Sequence, residues 1–351
     1  MAQPTQFERW YDDFNRHAGD LYPGRYTRDF VQDLVEQGKQ VQAKAAEKSS
    51  VIVAHNYQYP ELQEIAHEVG DSLGLSRFVA TQDSPRVDFC GVWFMGETAK
   101  TIVGDRTRVF MPDRPGCSLV DSINHARIEA WRERNPKGVI VSYVNTDAKT
   151  KALSDYVCTS RNAAQVVRAA TDANPGERML FLPDKYLGSV AAAQARLDPD
   201  MIDLYDGGCH VHAKIGEHAL DEAYDRHPDA ELLIHPECGC ASTCLAKIMN
   251  HESEFQKAFY LSTEQMVSHA QESPAKEFIV GTEMGMLYRL RKEVPGKIFH
   301  PVSPDAMCEY MKQNNLEKLL RSLETDEVEV QVEEQVRLKA QAAIDRMLSI
   351  Q

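Results

Sequence analysis

Thiols and imidazoles carry the first chemical signal in this chain of 351 residues. Its eight cysteines are Cys90, Cys117, Cys158, Cys209, Cys238, Cys240, Cys244 and Cys308. In a reducing compartment, cysteines in such number read as metal-binding or catalytic before disulfide-bonded. The plain alternative, that a cysteine packs as a small hydrophobe, is expected for roughly half of them. Cys117, Cys209 and Cys308 stand apart because each closes a similar stretch: RVFMPDRPGC, MIDLYDGGC and KIFHPVSPDAMC, with the cysteines 92 and 99 residues apart. Three thiolates are one short of a closed four-ligand site, and an open position is what a catalytic metal needs. A [4Fe–4S] cluster held by three cysteines leaves one iron free to bind a substrate.

A second matched set is polar. His55 and Tyr57 end VIVAHNY at 51–57, Tyr143 and Asn145 end VIVSYVN at 139–145, and His235 and Glu237 lie in ELLIHPEC at 231–238. Histidine moves a proton near neutral pH, and a glutamate beside it can act as partner base. Tyrosine can donate to a carboxylate or a developing alkoxide. A third set is Ser72 in GDSLGL, Ser160 in CTSRNA and Thr263 in LSTEQM, each placed where a helix is expected to begin. Unpaired N–H groups and the positive dipole end make such places suited to anions. Plain capping is the competing reading, and it is preferred for Ser262, which has capping-box spacing to Gln265.

Cys238, Cys240 and Cys244 in ECGCASTC form a C-x-C-x3-C run. Zinc sites draw four ligands, and the obvious fourth, His235, belongs to the polar set. A structural or redox role is therefore placed ahead of a second metal. His210 and His212 flank Cys209; tuning of a metal and plain packing are equally favoured, and both stay outside the expected site. Met95 is expected to line a cavity wall or to pack. Asp184 and Lys185 are expected to form a surface or interdomain ion pair.

These residues all follow apolar, β-branched runs, which points to what positions them. VIVAHNY, VIVSYVN and ELLIHPEC read as first strands. Runs from Val87, Arg178 and Glu277 read as second strands, and the runs ending in Cys117, Cys209 and Cys308 as third. Between them lie amphipathic helical patterns: Leu62, Ile65, Ala66 and Val69 in one unit, Ala163, Val166, Val167 and Ala170 in the next. Strands alternating with helices predict parallel sheets with right-handed crossovers, and ligands bind beyond the carboxyl ends of such strands. The expected fold is α/β, with three small parallel-sheet domains in pseudo-threefold arrangement, and if they face a common axis Cys117, Cys209 and Cys308 converge there. The expected divisions are 1–48, an N-terminal helical segment, then repeats at 49–125, 126–215 and 216–315, and a C-terminal helical extension at 316–351. In that extension Val336, Ala340, Ala343 and Met347 mark one apolar face.

Composition narrows the function classes. Hydrophobic residues at 43% and charged residues at 26% describe a globular chain. The net charge of −14 argues against a general binder of nucleic acid or anionic membrane. No stretch approaches the ~20 apolar residues of a membrane span. Glu8, Arg9, Asp12 and Asp13 interrupt any signal-peptide core, so a cytoplasmic location is expected. Neither G-x-G-x-x-G nor a P-loop is present, which leaves a Rossmann dinucleotide site or a nucleotide-binding loop without support.

VIVAHNYQYPELQEIAHEVGDSL, FCGVWFMGETAK, YVNTDAKTKALSDYVCTSRNA, HPEC and FIVGTE, in that order, resemble the quinolinate synthase family of de novo NAD biosynthesis. The resemblance runs from about residue 30 to about residue 320 and rests on the ordered set. It implies a transferase that condenses iminoaspartate with dihydroxyacetone phosphate and yields quinolinate, phosphate and water. It also implies one central [4Fe–4S] iron–sulfur cluster per chain, around which the three domains are arranged, on Cys117, Cys209 and Cys308, its open iron acting as Lewis acid. By the same resemblance His55, Tyr57, Tyr143, His235 and Glu237 are the expected catalytic residues. Ser72, Asn145, Ser160 and Thr263 join His55, Tyr143, His235 and Glu237 in holding substrate. The expected partners are these two small molecules and a transient contact with the oxidase that produces iminoaspartate. The rivals are another iron–sulfur hydro-lyase acting on a hydroxy acid, and a zinc or electron-transfer protein built on Cys238, Cys240 and Cys244.

Overall fold

A computed structural model describes residues 4–213, 215, 217–238 and 257–350. Cys240 and Cys244 lie outside the described residues. The described chain forms three four-stranded, all-parallel sheets flanked by helices. The first holds β1 (Ser50–His55), β2 (Glu68–Gly70), β3 (Arg86–Cys90) and β4 (Arg108–Phe110). The second holds β5 (Val139–Tyr143), β6 (Tyr156–Cys158), β7 (Met179–Leu182) and β8 (Ile202–Leu204). The third holds β9 (Glu231–Ile234), β10 (Ala258–Tyr260), β11 (Glu277–Gly281) and β12 (Ile298–Pro301). The spatial orders β2-β1-β3-β4, β6-β5-β7-β8 and β10-β9-β11-β12 are one topology used three times. The expected α/β triplication is thus the architecture of the molecule.

The central strands explain why the repeat shows in the sequence. β1, β5 and β9 each pair with a strand on both sides, and a parallel strand covered on both faces becomes a continuous apolar run. Each unit has one strand more than the sequence pattern predicts. β2, β6 and β10 are edge strands of three residues, too short to display a period. The same short strand corrects the helix expected through Leu62, Ile65, Ala66 and Val69. The helix Pro60–Ile65 stops where Ala66 turns extended, and Val69 pairs with Ala54 across β1 and β2. The second pattern holds: Ala163, Val166, Val167 and Ala170 are the buried face of the helix Ala163–Ala173.

The ends brace the units. Thr5 and Glu8 make a capping box on the helix Gln6–Ala18, which packs on the helices Arg28–Glu47 and Met286–Glu293. The helix Leu316–Thr325 lies against Arg28–Glu47 and β3. The last helix, Glu334–Ser349, buries Ala340, Ala343 and Met347, with Val336 half-buried. It packs on the helices Ala148–Leu153 and Trp93–Val103 and on β6, so it ties the second unit to the first. Among the described residues, no helix is long and apolar enough to cross a membrane.

Candidate active site

The carboxyl ends of the three sheets meet at one cavity of about 700 Å³, its mouth included. Its wall contains Cys117 after β4, Cys209 after β8 and Cys308 after β12. It also contains every polar residue expected from the sequence: His55, Tyr57 and Ser72 from the first unit, Tyr143, Asn145 and Ser160 from the second, His235, Glu237 and Thr263 from the third. Residues up to 253 positions apart are thereby brought to one wall.

The three cysteines are half-buried and none is in a disulfide. Burial pushes the Cys117 thiol up to about 12 and the Cys308 thiol to about 11. Cys209 is pushed well up by burial, by the Glu237 carboxylate and by the other two sulfurs. Three thiols on the wall of one poorly solvated cavity resist ionising together, and soft cations bound to them remove that resistance. The donor set therefore fits an iron–sulfur cluster with three thiolate ligands.

Glu237 organises the polar side of the wall. His212 Nδ1 lies 2.9 Å from Glu237 Oε2, and Asn145 Nδ2 donates to Oε1 at 3.1 Å. Burial opposes the ionised carboxylate, but His212, His235 and the Tyr143 hydroxyl outweigh it and hold the pKa well below the usual range. Among the described residues no partner meets the buried Asn145 Oδ1, which leaves an acceptor for a ligand. Burial and the Glu237 charge keep the Tyr57 and Tyr143 phenols protonated. Tyr57 and His212 share the Thr282 hydroxyl at 2.7 and 3.0 Å.

The two histidines differ from the expectation of a proton shuttle near neutral pH. Burial lowers His55 to about 3 and His235 to about 4. Their Nδ1 atoms face backbone N–H groups two residues on: Tyr57 N at 3.2 Å and Glu237 N at 3.4 Å. Nδ1 accepts in both, so both rings are neutral with the proton on Nε2. His55 meets a ligand as an N–H donor, while the Nε2–H of His235 faces Ser160 Oγ at 3.2 Å.

The hydroxyls also sit differently from the expectation of three equivalent helix starts. Ser72 and Thr263 are first residues of the helices Ser72–Thr81 and Thr263–Glu272, whose caps are Asp71 and Ser262. Ser262 and Gln265 form the expected capping box. Ser160 comes before the cap position of its helix, Asn162, and its Oγ is 3.2 Å from His235 Nε2. None of the three hydroxyls is the cap itself.

The surface ion pair expected of Asp184 and Lys185 forms at Lys185 alone. Asp184 is fully buried, caps the helix Lys185–Ala195 through Leu187 N at 2.7 Å, and accepts from Cys209 N. Lys185 points outward to Asp206. Cys238 is buried in the apolar core of the third unit, its Sγ 3.5 Å from the Ile215 carbonyl. Cys90 and Cys158 are buried in the core as expected, and Met95 lines the cavity. On the outer side of the third unit, His227, Glu277 and His300 cluster with a shared carboxylate oxygen. Their rings stack at 3.6 Å and 16°. Both rings direct a nitrogen at that one oxygen, His227 Nδ1 at 2.9 Å and His300 Nε2 at 2.7 Å. The three form a hydrogen-bonded stack.

The family profile described as quinolinate synthetase A protein matches residues 39–349. The chain belongs to that family. A quinolinate synthase of Pyrobaculum aerophilum is 45% identical over 304 residues, 86% of this chain and 95% of the relative. One of Thermus thermophilus is 46% identical over 305 residues, 87% of this chain and 94% of the relative. One of Mycolicibacterium paratuberculosis is 40% identical over 311 residues, 89% of this chain and 88% of the relative.

Against this family background, four wall or support residues lie outside the site expected from the sequence. His212 is the clearest, because its place three residues after Cys209 puts it on the same side of a helical turn. Asn56, within the quoted HNY, is hidden by its neighbours' stronger chemistry. Asp184 and Glu283 end the middle strands of two units, and that shared position is the signal that could have found them.

Proposed function

We propose that the chain is a quinolinate synthase, a transferase that joins iminoaspartate and dihydroxyacetone phosphate into quinolinate. One phosphate and two waters leave, so the atoms balance. The observation that carries this reading is the convergence of three cysteines and nine polar residues, from three repeats, on one cavity. We assign Cys117, Cys209 and Cys308 as ligands of one [4Fe–4S] cluster. When bound, it supplies an iron without a protein ligand, a Lewis acid that draws charge from a substrate oxygen and eases loss of water.

The chain's own residues supply the rest. Ser72, Ser160 and Thr263 donate to phosphate and carboxylate oxygens, so an acidic protein holds anions without a lysine cluster. His55 donates from Nε2 to an oxygen that gains negative charge during isomerisation and condensation, while His235 gives its Nε2–H to Ser160 Oγ and so aims the serine hydroxyl at the ligand. Tyr57 and Tyr143 stay protonated and donate likewise. Glu237 is the ionised acceptor of the site; it orients Asn145, Tyr143 and His212 and its charge stabilises the positive charge that develops on the condensing nitrogen. Apolar wall residues such as Phe94, Met95 and Met311 keep water from the imine.

The domain divisions at 49–125, 126–215 and 216–315 belong to the same proposal, as does a cytoplasmic home where thiols stay reduced. An imine hydrolyses in water, which favours a short transfer from the oxidase that makes it. The test is anaerobic: purified protein is assayed for iron and sulfide, then given both substrates. A brown protein that forms quinolinate is expected. A colourless zinc protein, or a cluster protein that ignores dihydroxyacetone phosphate, overturns the assignment in favour of one of its rivals.

A further inference from the structure

Asn56 lies directly after β1 and is fully buried. Its partners distinguish the two ends of its amide. Arg289 can only donate, and its Nη1 is 2.5 Å from Asn56 Oδ1, which makes that end the carbonyl. Nδ2 therefore faces Thr263 Oγ1 at 2.7 Å and donates to it. The Thr263 oxygen is thus an acceptor, and its own proton must go elsewhere. Among the described residues, no protein acceptor takes that proton. Thr263 is only 2% exposed, and it lines the cavity. Arg289 is itself held by Glu264 and by Glu293 at 2.7 Å, so its charge is met by its neighbours and it works here by fixing an amide.

The second unit's hydroxyl has the same polarity. His235 presents Nε2–H to Ser160 Oγ at 3.2 Å, which sends the serine proton away from the ring. The two sites use different donors to reach one result.

We propose that Asn56, locked by Arg289, is a positioning residue that fixes the Thr263 hydroxyl as a hydrogen-bond donor to a phosphate or carboxylate oxygen bound in the cavity. The two ligand classes rest on the function proposed above; the orientation rests on the hydrogen bonds alone. Asn56→Asp tests it by polarity at constant shape. The carboxylate offers Thr263 an acceptor where the amide offered a donor, so the hydroxyl turns away from the ligand.

The experiment is calorimetric titration of anaerobically purified holoenzyme with inorganic phosphate and, separately, with succinate. The proteins are wild type, N56D, T263A, the double variant, N56A and N56A/T263A, each checked for cluster absorbance and melting temperature. The anion seated at Thr263 is expected to bind N56D and T263A about 10- to 100-fold more weakly, the worth of a hydrogen bond to a charged group. The double variant is expected to bind no more weakly than T263A, and the other anion to bind as in wild type. The identity of the weakened anion tells phosphate from carboxylate. Should N56D fail to fold, N56A carries the same cycle, with a smaller single loss and none beyond T263A. Unchanged binding in N56D, losses that add in the double variant, or a wild type that binds neither anion overturns the inference. None of these readouts needs turnover, so a failure of the assigned reaction is seen separately, as absence of quinolinate in the product assay.

Discussion

Asp184 Oδ2 accepts the backbone N–H of Cys209 at 3.3 Å. Glu283 Oε1 repeats the arrangement with Cys308 N at 3.2 Å, while its Oε2 takes Gly285 N at 2.7 Å. Two of the three cysteine loops are thus pinned by a buried carboxylate from the end of the neighbouring middle strand. The first unit has Val92 at the corresponding place and, among the described residues, no such pin for Cys117.

The two pins differ in charge balance. Glu283 is buried beside Lys312, whose Nζ is 3.2 Å away and also donates to the Tyr57 carbonyl. Among the described residues no Lys or Arg stands so beside Asp184, and burial together with the Glu237 charge pushes its carboxyl well up. Asp184→Asn therefore loses little charge, but it turns an N–H₂ toward one of two backbone N–H groups. A loss of about 1–3 kcal/mol is expected. Glu283→Gln strands the buried Lys312 charge and is expected to cost about 3–5 kcal/mol. Urea unfolding of the two variants checks the order; equal losses would place the effect in the cysteine loops rather than in the charge.

Single changes of Cys117, Cys209 or Cys308 to Ser are expected to remove or cripple the cluster and abolish turnover, since a hydroxyl is a poor ligand for this iron. Cys238→Ser, Cys240→Ser and Cys244→Ser are expected to keep the cluster spectrum. Iron and sulfide per chain decide both arms. A full cluster in any of the first three removes that ligand from the set, and loss in the second three moves the metal to the C-x-C-x3-C run.

Much of this arrangement is legible in the sequence because the central strands are long and buried on both faces. VIVAH, VIVSY and ELLI advertise the repeat, and the polar residues directly after them are the cavity wall. The three-residue edge strands are silent, since so short a segment shows no period. Asp184 misleads because a carboxylate beside a lysine suggests an exposed ion pair, whereas neighbours at a helix start point in different directions. The histidine protonation states are also beyond sequence. They depend on burial and on backbone N–H groups that only the turn after each strand brings to Nδ1.

The three hydroxyls give a prediction that separates binding from capping. Asp71 and Ser262 accept from Gly74 N and Gln265 N, so Ser72 and Thr263 are spare at their helix starts. Ser72→Ala, Ser160→Ala and Thr263→Ala are expected to lower substrate affinity or the specificity constant roughly 10- to 150-fold. The Ser72→Ala melting temperature should change little, because Asp71 and not Ser72 is the cap. Thr263→Ala and Ser160→Ala also orphan the Asn56 Nδ2 and His235 Nε2 donors and are expected to lose about 1–3 kcal/mol of stability beside their loss of affinity. Normal kinetics with earlier melting in all three would move the anion pocket elsewhere.

The last prediction concerns pH. An unfolded histidine takes up a proton below about 6.5, whereas folded His55 refuses it until about 3 and folded His235 until about 4. Between those values the unfolded chain binds more protons than the folded one, so stability rises with pH and falls as the solution is acidified. The contribution is intact above the unfolded value and is lost progressively through pH 6 and 5. At pH 5 each histidine is expected to have lost about 2 kcal/mol relative to pH 7, with a limiting slope of about 1.4 kcal/mol per pH unit. His17 and His300 are also lowered by burial and add to the same trend, so wild type alone does not isolate the site. The difference between wild type and a variant does. His55→Asn and His235→Asn cannot take the proton in either state, and each is expected to flatten the stability curve by its own share. Urea unfolding at pH 5, 6 and 7 gives the three points needed. A variant that keeps the full wild-type slope would mean that its histidine is charged in the folded protein, and the Nε2–H donor assigned to it would be replaced by an imidazolium.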